Sequence, residues 1–157
     1  MRCLPLRLTP IPAEQLAALE WAPLDPPRRY RPLGLVKVSA GFPSPAADYE
    51  DKRLDINEFL VRNPVATFFF PVEGESMIGA EIFPGDVLVV DRSITPRHDH
   101  IVVAFVNGER LVKRLYHRQG RLALLAENPL FPALEARDGV EFQIWGVVVG
   151  KFKRFGG

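Results

Sequence analysis

A chain of 157 residues, 47% hydrophobic and 25% charged, is long enough for one domain with its own core and has the make-up of an ordinary globular protein. Its formal net charge of +1 gives no electrostatic case for nucleic acid as the main partner, so direct sequence-specific DNA binding is not expected. The lone cysteine, Cys3, excludes an internal disulfide, Pro5, Arg7, Pro10 and Pro12 interrupt any signal-peptide stretch, and no apolar run approaches the length of a membrane span; a cytoplasmic protein without a membrane partner is expected.

Nine of the 15 prolines fall in residues 1–45, a density that suits an extended arm. The arm is basic: Arg2, Arg7, Arg28, Arg29, Arg31 and Lys37 stand against Glu14, Glu20 and Asp25, which makes residues 1–40 +3 and the remainder −2. A short helix is expected from Ala13 to Trp21, with Leu16 and Leu19 on one side. Pro23, Pro26 and Pro27 end it, and no second helix follows before residue 50, so a helix-turn-helix is not expected.

Asp55-Ile56-Asn57-Glu58 has the form of a capping box and predicts a short helix through Val61, ending at Asn63-Pro64. From Ala66 onward the pattern is β. Strands are expected at Thr67 to Val72 and at Asp86 to Asp91, the latter too apolar to be half exposed. A third runs from Ile101 to Val106 and meets Asn107-Gly108, a strong hairpin-turn signal. The partner strand is Arg110 to Tyr116. After Gln119-Gly120 a strand covers Leu122 to Ala126, and late strands are expected at Phe142 to Val149 and at Lys151 to Phe155. Many short strands separated by turns predict a mainly β protein, a compact barrel-like body of short, mostly antiparallel strands with a flexible N-terminal arm. The expected divisions are the arm (1–40), a linker with a short helix (41–65) and the β body (66–157).

Two residues carry candidate chemistry. Strand side chains alternate between faces, so Leu111, Lys113 and Leu115 share one side, and an ammonium stands in an apolar row. Burial disfavours the charged form of lysine. A neutral lysine beside a serine hydroxyl can act as its general base without any histidine. Ser76, in Gly74-Glu75-Ser76-Met77, lies between a strand and the Pro84-Gly85-Asp86 turn, and Gly74 permits close backbone approach there. The plainer alternative makes Ser76 a loop or cap residue and Lys113 an edge-strand charge. His98, His100 and His117 lack the spacing of a metal site and are read as solvated loop residues; no metal or cofactor is expected. Phe68-Phe69-Phe70 is read as core or interface, since no basic cluster accompanies it.

From Gly41 to Phe155, about three-quarters of the chain, the sequence resembles the LexA/UmuD family of self-cleaving SOS-response proteins, with the organisation of its UmuD-like members. The matching stretches are Ala40-Gly41-Phe42-Pro43-Ser44-Pro45, Gly74-Glu75-Ser76-Met77, Pro84-Gly85-Asp86-Val87, Val112-Lys113-Arg114-Leu115, Glu127-Asn128-Pro129 and Trp145-Gly146-Val147-Val148. The resemblance implies that Ser76 is the nucleophile, Lys113 the general base, Ala40-Gly41 the scissile pair, and the Ser76 N–H an oxyanion donor. It implies a homodimer, activation by a RecA filament on single-stranded DNA, and a processed form that joins a UmuC-type Y-family DNA polymerase in translesion synthesis. Loss of residues 1–40 would discard the basic arm. Two other classes compete with this serine peptidase: a LexA-related regulatory binding protein lacking a DNA-binding domain, and a β interaction module in which Ser76 and Lys113 are incidental.

Overall fold

The computed structural model of the chain describes residues 27–33, 40–41, 52–136 and 142–156. The helix expected at Ala13 to Trp21, and Cys3, lie outside these residues. Two short strands, β1 (Arg31–Pro32) and β2 (Arg53–Leu54), pair antiparallel. Seven more follow in the chain: β3 (Thr67–Pro71), β4 (Val87–Asp91), β5 (Ile101–Val106), β6 (Glu109–Arg118), β7 (Arg121–Leu125), β8 (Leu134–Glu135) and β9 (Phe142–Phe152). They form one sheet in the order β3-β4-β9-β5-β6-β7-β8, every neighbouring pair antiparallel. The protein is thus mainly β, as its strand and turn pattern predicts.

The continuous apolar run of β5 has a reason. Val102, Ala104 and Val106 join a cluster with Leu115, Leu124, Ile144 and Val147. Val103 belongs instead to a second cluster with Phe70, Val72, Met77, Leu88, Val90 and Trp145. Successive side chains point to opposite faces, so a strand with core on both faces needs apolar residues throughout. Turn chemistry sets the pairing. Asn107 and Gly108 have φ of 50° and 85°, and Gln119 and Gly120 have 51° and 74°. Two successive positive φ values match the right-handed twist of the flanking strands, and the resulting hairpins link β5 to β6 and β6 to β7.

β9 departs from the expected pattern. One strand of 11 residues runs through Lys151 to Phe152, where two separate strands were expected. Its pairing skips Trp145 opposite β5 and Val149 opposite β4. These bulges break the period-two alternation. They also place Trp145, only 3% exposed, against the edges of Phe68 and Phe70 at ring separations of 5.0 and 4.8 Å. The Arg92 guanidinium lies 4.8 Å from the Trp145 ring, and its Nε donates to the Trp145 carbonyl at 2.9 Å.

The helix Ile56–Leu60 is capped as predicted: Asp55 accepts from the N–H groups of Asn57 and Glu58 at 2.8 and 3.2 Å. Its other oxygen accepts from the Arg29 N–H at 2.5 Å. That Arg29 bond is the main cause holding the Asp55 carboxyl below its ordinary pKa. Arg28 pairs with Glu58 at 3.2 Å, and the Leu33 N–H donates to the Lys52 carbonyl at 2.8 Å. Residues 27–33 are therefore exposed yet tied by backbone and side chain to residues 52–58. The span from β1 to β2 contains Ala40 and Gly41.

Candidate active site

Ser76 and Lys113 come from different parts of the sheet. Ser76 follows the end of β3 in an irregular loop, and is half-buried. The loop passes through a 3-10 turn, Ile78–Ala80, and returns to β4. Its inner side is pinned by Met77 and Ile82, 1% and 3% exposed. Its far end is tied to β9, where Lys151 Nζ donates to the carbonyl of Glu81 and lies 2.7 Å from Asp86 Oδ2. Burial alone would raise the Asp86 pKa; the Lys151 ammonium and the Phe83 N–H outweigh it and hold the carboxyl ionised below the usual carboxylate value.

Lys113 lies on β6 directly across from the fully buried Val102 and on the face shared by Leu111 and Leu115. The residue is 6% exposed. Its Nζ is 2.6 Å from Ser76 Oγ and 3.1 Å from the Val112 carbonyl. Among the described residues no carboxylate forms an ion pair with it. Desolvation without a compensating anion lowers its pKa. A neutral Nζ can accept the Ser76 O–H proton across this contact, so the pair has the geometry of a nucleophile and its base.

The neighbouring cation, Arg114, takes the opposite face. It pairs with Glu127 and donates to the Asp99 carbonyl at 2.7 Å. Glu127 and Asn128 then carry the Ser76 loop. The Glu127 N–H donates to the Ser76 carbonyl at 2.9 Å, the Gly79 N–H donates to the Glu127 carbonyl at 2.7 Å, and Asn128 Nδ2 donates to the Glu75 carbonyl at 2.9 Å. An open depression of about 430 Å³ borders this segment, lined by Leu125, Asn128, Pro129 and Phe131 among others. The positioning roles of Gly79, Arg114, Glu127 and Asn128 were not read from the sequence, although Glu127-Asn128-Pro129 was among its family-like stretches.

Gly79 is where this docking is most sensitive. A Cβ there would sit 2.4 Å from the Glu127 carbonyl oxygen, and backbone cannot step aside as a flexible side chain can. Gly79→Ala is expected to push the two segments apart, cost roughly 1–3 kcal/mol, and lower any Ser76-dependent reaction at least tenfold. Thermal melting and the reaction rate of the variant check this.

The other candidates sort plainly. Ala40 and Gly41 are both exposed, so this conformation does not hold them deep in a cleft. Two histidine side chains serve local structure: His98 Nδ1 accepts from the His117 N–H, and His100 Nδ1 from the Arg97 N–H, both at 3.3 Å; His117, expected in a solvated loop, is instead half-buried on β6. Among the described residues no three His, Cys, Asp or Glu side chains gather as a metal-binding group, and no helix is long and apolar enough to cross a membrane. Phe70 is core, whereas Phe69 is 46% exposed and meets the Phe152 ring edge-on at 5.5 Å.

An antiparallel β protein that presses a serine hydroxyl against a buried lysine has the constellation of a histidine-free serine peptidase. Comparison with known proteins supports a peptidase family. Residues 32–149 match the Peptidase S24-like family. The chain is 48% identical to Protein MucA of Salmonella typhimurium, over 74% of this chain and 80% of that protein. It is 44% identical to Protein SamA of Salmonella typhimurium, over 79% and 86%. Against LexA repressor 1 of Geobacter sulfurreducens the identity is 38%, over 74% of this chain and 57% of the repressor. The chain belongs to the Peptidase S24-like, LexA/UmuD family.

Proposed function

We propose that this protein is a self-cleaving serine endopeptidase of the SOS response to DNA damage, with Ser76 as nucleophile, Lys113 as general base and the Ala40–Gly41 peptide bond as substrate. The observation that carries the reading is the 2.6 Å contact between Ser76 Oγ and the buried Lys113 Nζ. Family membership supports peptidase chemistry, and the small residues Ala40 and Gly41 suit an extended segment lying close to the serine.

On this reading the steps are as follows. Ser76 Oγ attacks the Ala40 carbonyl carbon while neutral Lys113 takes the hydroxyl proton. The tetrahedral oxyanion forms near the Ser76 N–H. Its collapse breaks the bond to Gly41, and the Lys113 ammonium returns a proton to the leaving amine. Water, deprotonated by Lys113, then hydrolyses the Ala40 ester on Ser76. An attached substrate has a high effective concentration, so docking of the scissile segment sets the rate. Exposure of Ala40 and Gly41 in this conformation fits a reaction that waits for docking. In the cell we assign that step to a RecA filament on single-stranded DNA. The products are the basic arm, residues 1–40, and a body from residue 41 (linker 41–65, β domain 66–157) that acts as a cytoplasmic homodimer with a UmuC-type Y-family polymerase in translesion synthesis.

The pH dependence tests the base. Lys113 must be neutral to act and its pKa lies below that of a free lysine, about 10.4. Cleavage should rise about tenfold per pH unit and level off before that value. The check is the first-order rate of the purified full chain across alkaline pH. A rate indifferent to pH would count against a lysine base.

A further inference from the structure

We propose that Asn128 is a positioning residue that sets the oxyanion-binding orientation of the Ser76 N–H. The inference rests on the Ser76/Lys113 reading and adds to it a residue outside the dyad.

The Glu75 carbonyl and the Ser76 N–H belong to one peptide unit. All described peptide bonds are trans, so these two groups point in opposite directions. Whatever holds the carbonyl therefore aims the N–H. Asn128 Nδ2 holds it at 2.9 Å. The local turn bond to the same carbonyl, from the Ile78 N–H, is longer at 3.4 Å. Asn128 is itself fixed. It is 6% exposed, and its Oδ1 accepts from the Leu130 N–H at 3.1 Å. With one end of the amide accepting and the other donating, its orientation is determined.

The next peptide plane is also held. The Ser76 carbonyl accepts from the Glu127 N–H at 2.9 Å, a backbone contact that substitutions of the Glu127 side chain other than proline leave in place. Asn128 is thus the side chain through which the nucleophile's own peptide plane is controlled. Without that hold, rotation about the bonds flanking this unit, in Glu75 and Ser76, can turn the N–H away. An oxyanion donor placed in advance stabilises the transition state without reorganisation, and losing one costs about a hundredfold to a thousandfold in rate. Misaiming one is expected to cost about tenfold to a hundredfold.

The test uses the full chain and three variants: Ser76→Ala, Asn128→Ala and Asn128→Asp. The aspartate keeps an acceptor for the Leu130 N–H; once ionised it loses the donor to Glu75 and sets a negative charge against that carbonyl. Cleavage rates are followed by mass across alkaline pH, alongside melting temperatures and the labelling rate of Ser76 by a phosphonate, which also develops charge on oxygen. The expected result is a plateau rate and labelling rate about tenfold to a hundredfold lower in both Asn128 variants, with the pH midpoint of Asn128→Ala unchanged because Lys113 keeps its surroundings. A plateau within twofold of the parent chain in either variant would overturn the proposal. A shifted midpoint in Asn128→Ala would also overturn it, because Asn128 would then act on the base or on the whole loop. If the parent chain yields no Ser76-dependent fragment, the peptidase reading itself fails, a different outcome from either.

Discussion

Replacing Lys113 with methionine is expected to abolish self-cleavage and, at neutral pH, to stabilise the fold. The first effect follows from loss of the only base in contact with Ser76 among the described residues; general base catalysis contributes about a hundredfold to ten-thousandfold. The second follows from burial. Lys113 is 6% exposed and its pKa is lowered by desolvation. A lowered pKa means that the unfolded chain holds the proton more tightly than the native one. Below the folded pKa the native state bears the whole cost of the buried charge. That cost fades as pH rises from the folded pKa toward the free-lysine value, where both states are neutral. Methionine has similar bulk and no charge, so the gain at neutral pH should be about 1–2 kcal/mol, seen as a melting temperature a few degrees higher. The difference between parent and variant should shrink as pH approaches about 10.4. Melting curves across pH check the sign. A variant less stable at neutral pH would mean that the ammonium is well solvated or paired.

Trp145→Ala is expected to cause the largest loss of stability of any single substitution in the sheet. The ring fills the cluster that also holds Phe70, Val72, Met77 and Val103, and three partners, Phe68, Phe70 and Arg92, contact its faces and edges. A cavity left by tryptophan costs about 3–5 kcal/mol, a large share of a total that is typically about 5–15 kcal/mol. The neighbouring Gly146 shows how little room there is, since a Cβ there would lie 2.7 Å from Val90 Cγ1. Denaturant unfolding should show a markedly lower midpoint. Cleavage should fall as well, because Val72 and Met77 share this cluster and flank Ser76. An unchanged midpoint would mean that the ring is not a keystone of the core.

Local pattern singled out Ser76 and Lys113 but left the plainer alternative open; the family-like stretches around them carried the assignment. Alternation alone puts Lys113 between Leu111 and Leu115, and Asn107-Gly108 and Gln119-Gly120 announce the hairpins that frame it. The Asp55 cap is equally local. What escaped depends on contacts between distant segments. Nothing in the spacing of Glu75 and Asn128, 53 residues apart, says that one amide side chain holds the other's carbonyl. The pairing of β1 with β2 involves two residues on each side, one of them Pro32, too short for any periodicity to register. The length of β9 was misjudged because bulges at Trp145 and Val149 shift its alternation and Gly150 resembles a break. Gly79 reads as an ordinary loop glycine until the Glu127 carbonyl is seen against it.

The most direct measurement is the mass of fragments from the purified full chain at alkaline pH, beside a Ser76→Ala control, with and without RecA filaments. The account predicts a new fragment beginning at Gly41, formed faster with filaments and absent from the control. Intact mass in every sample, with the protein folded, would contradict it.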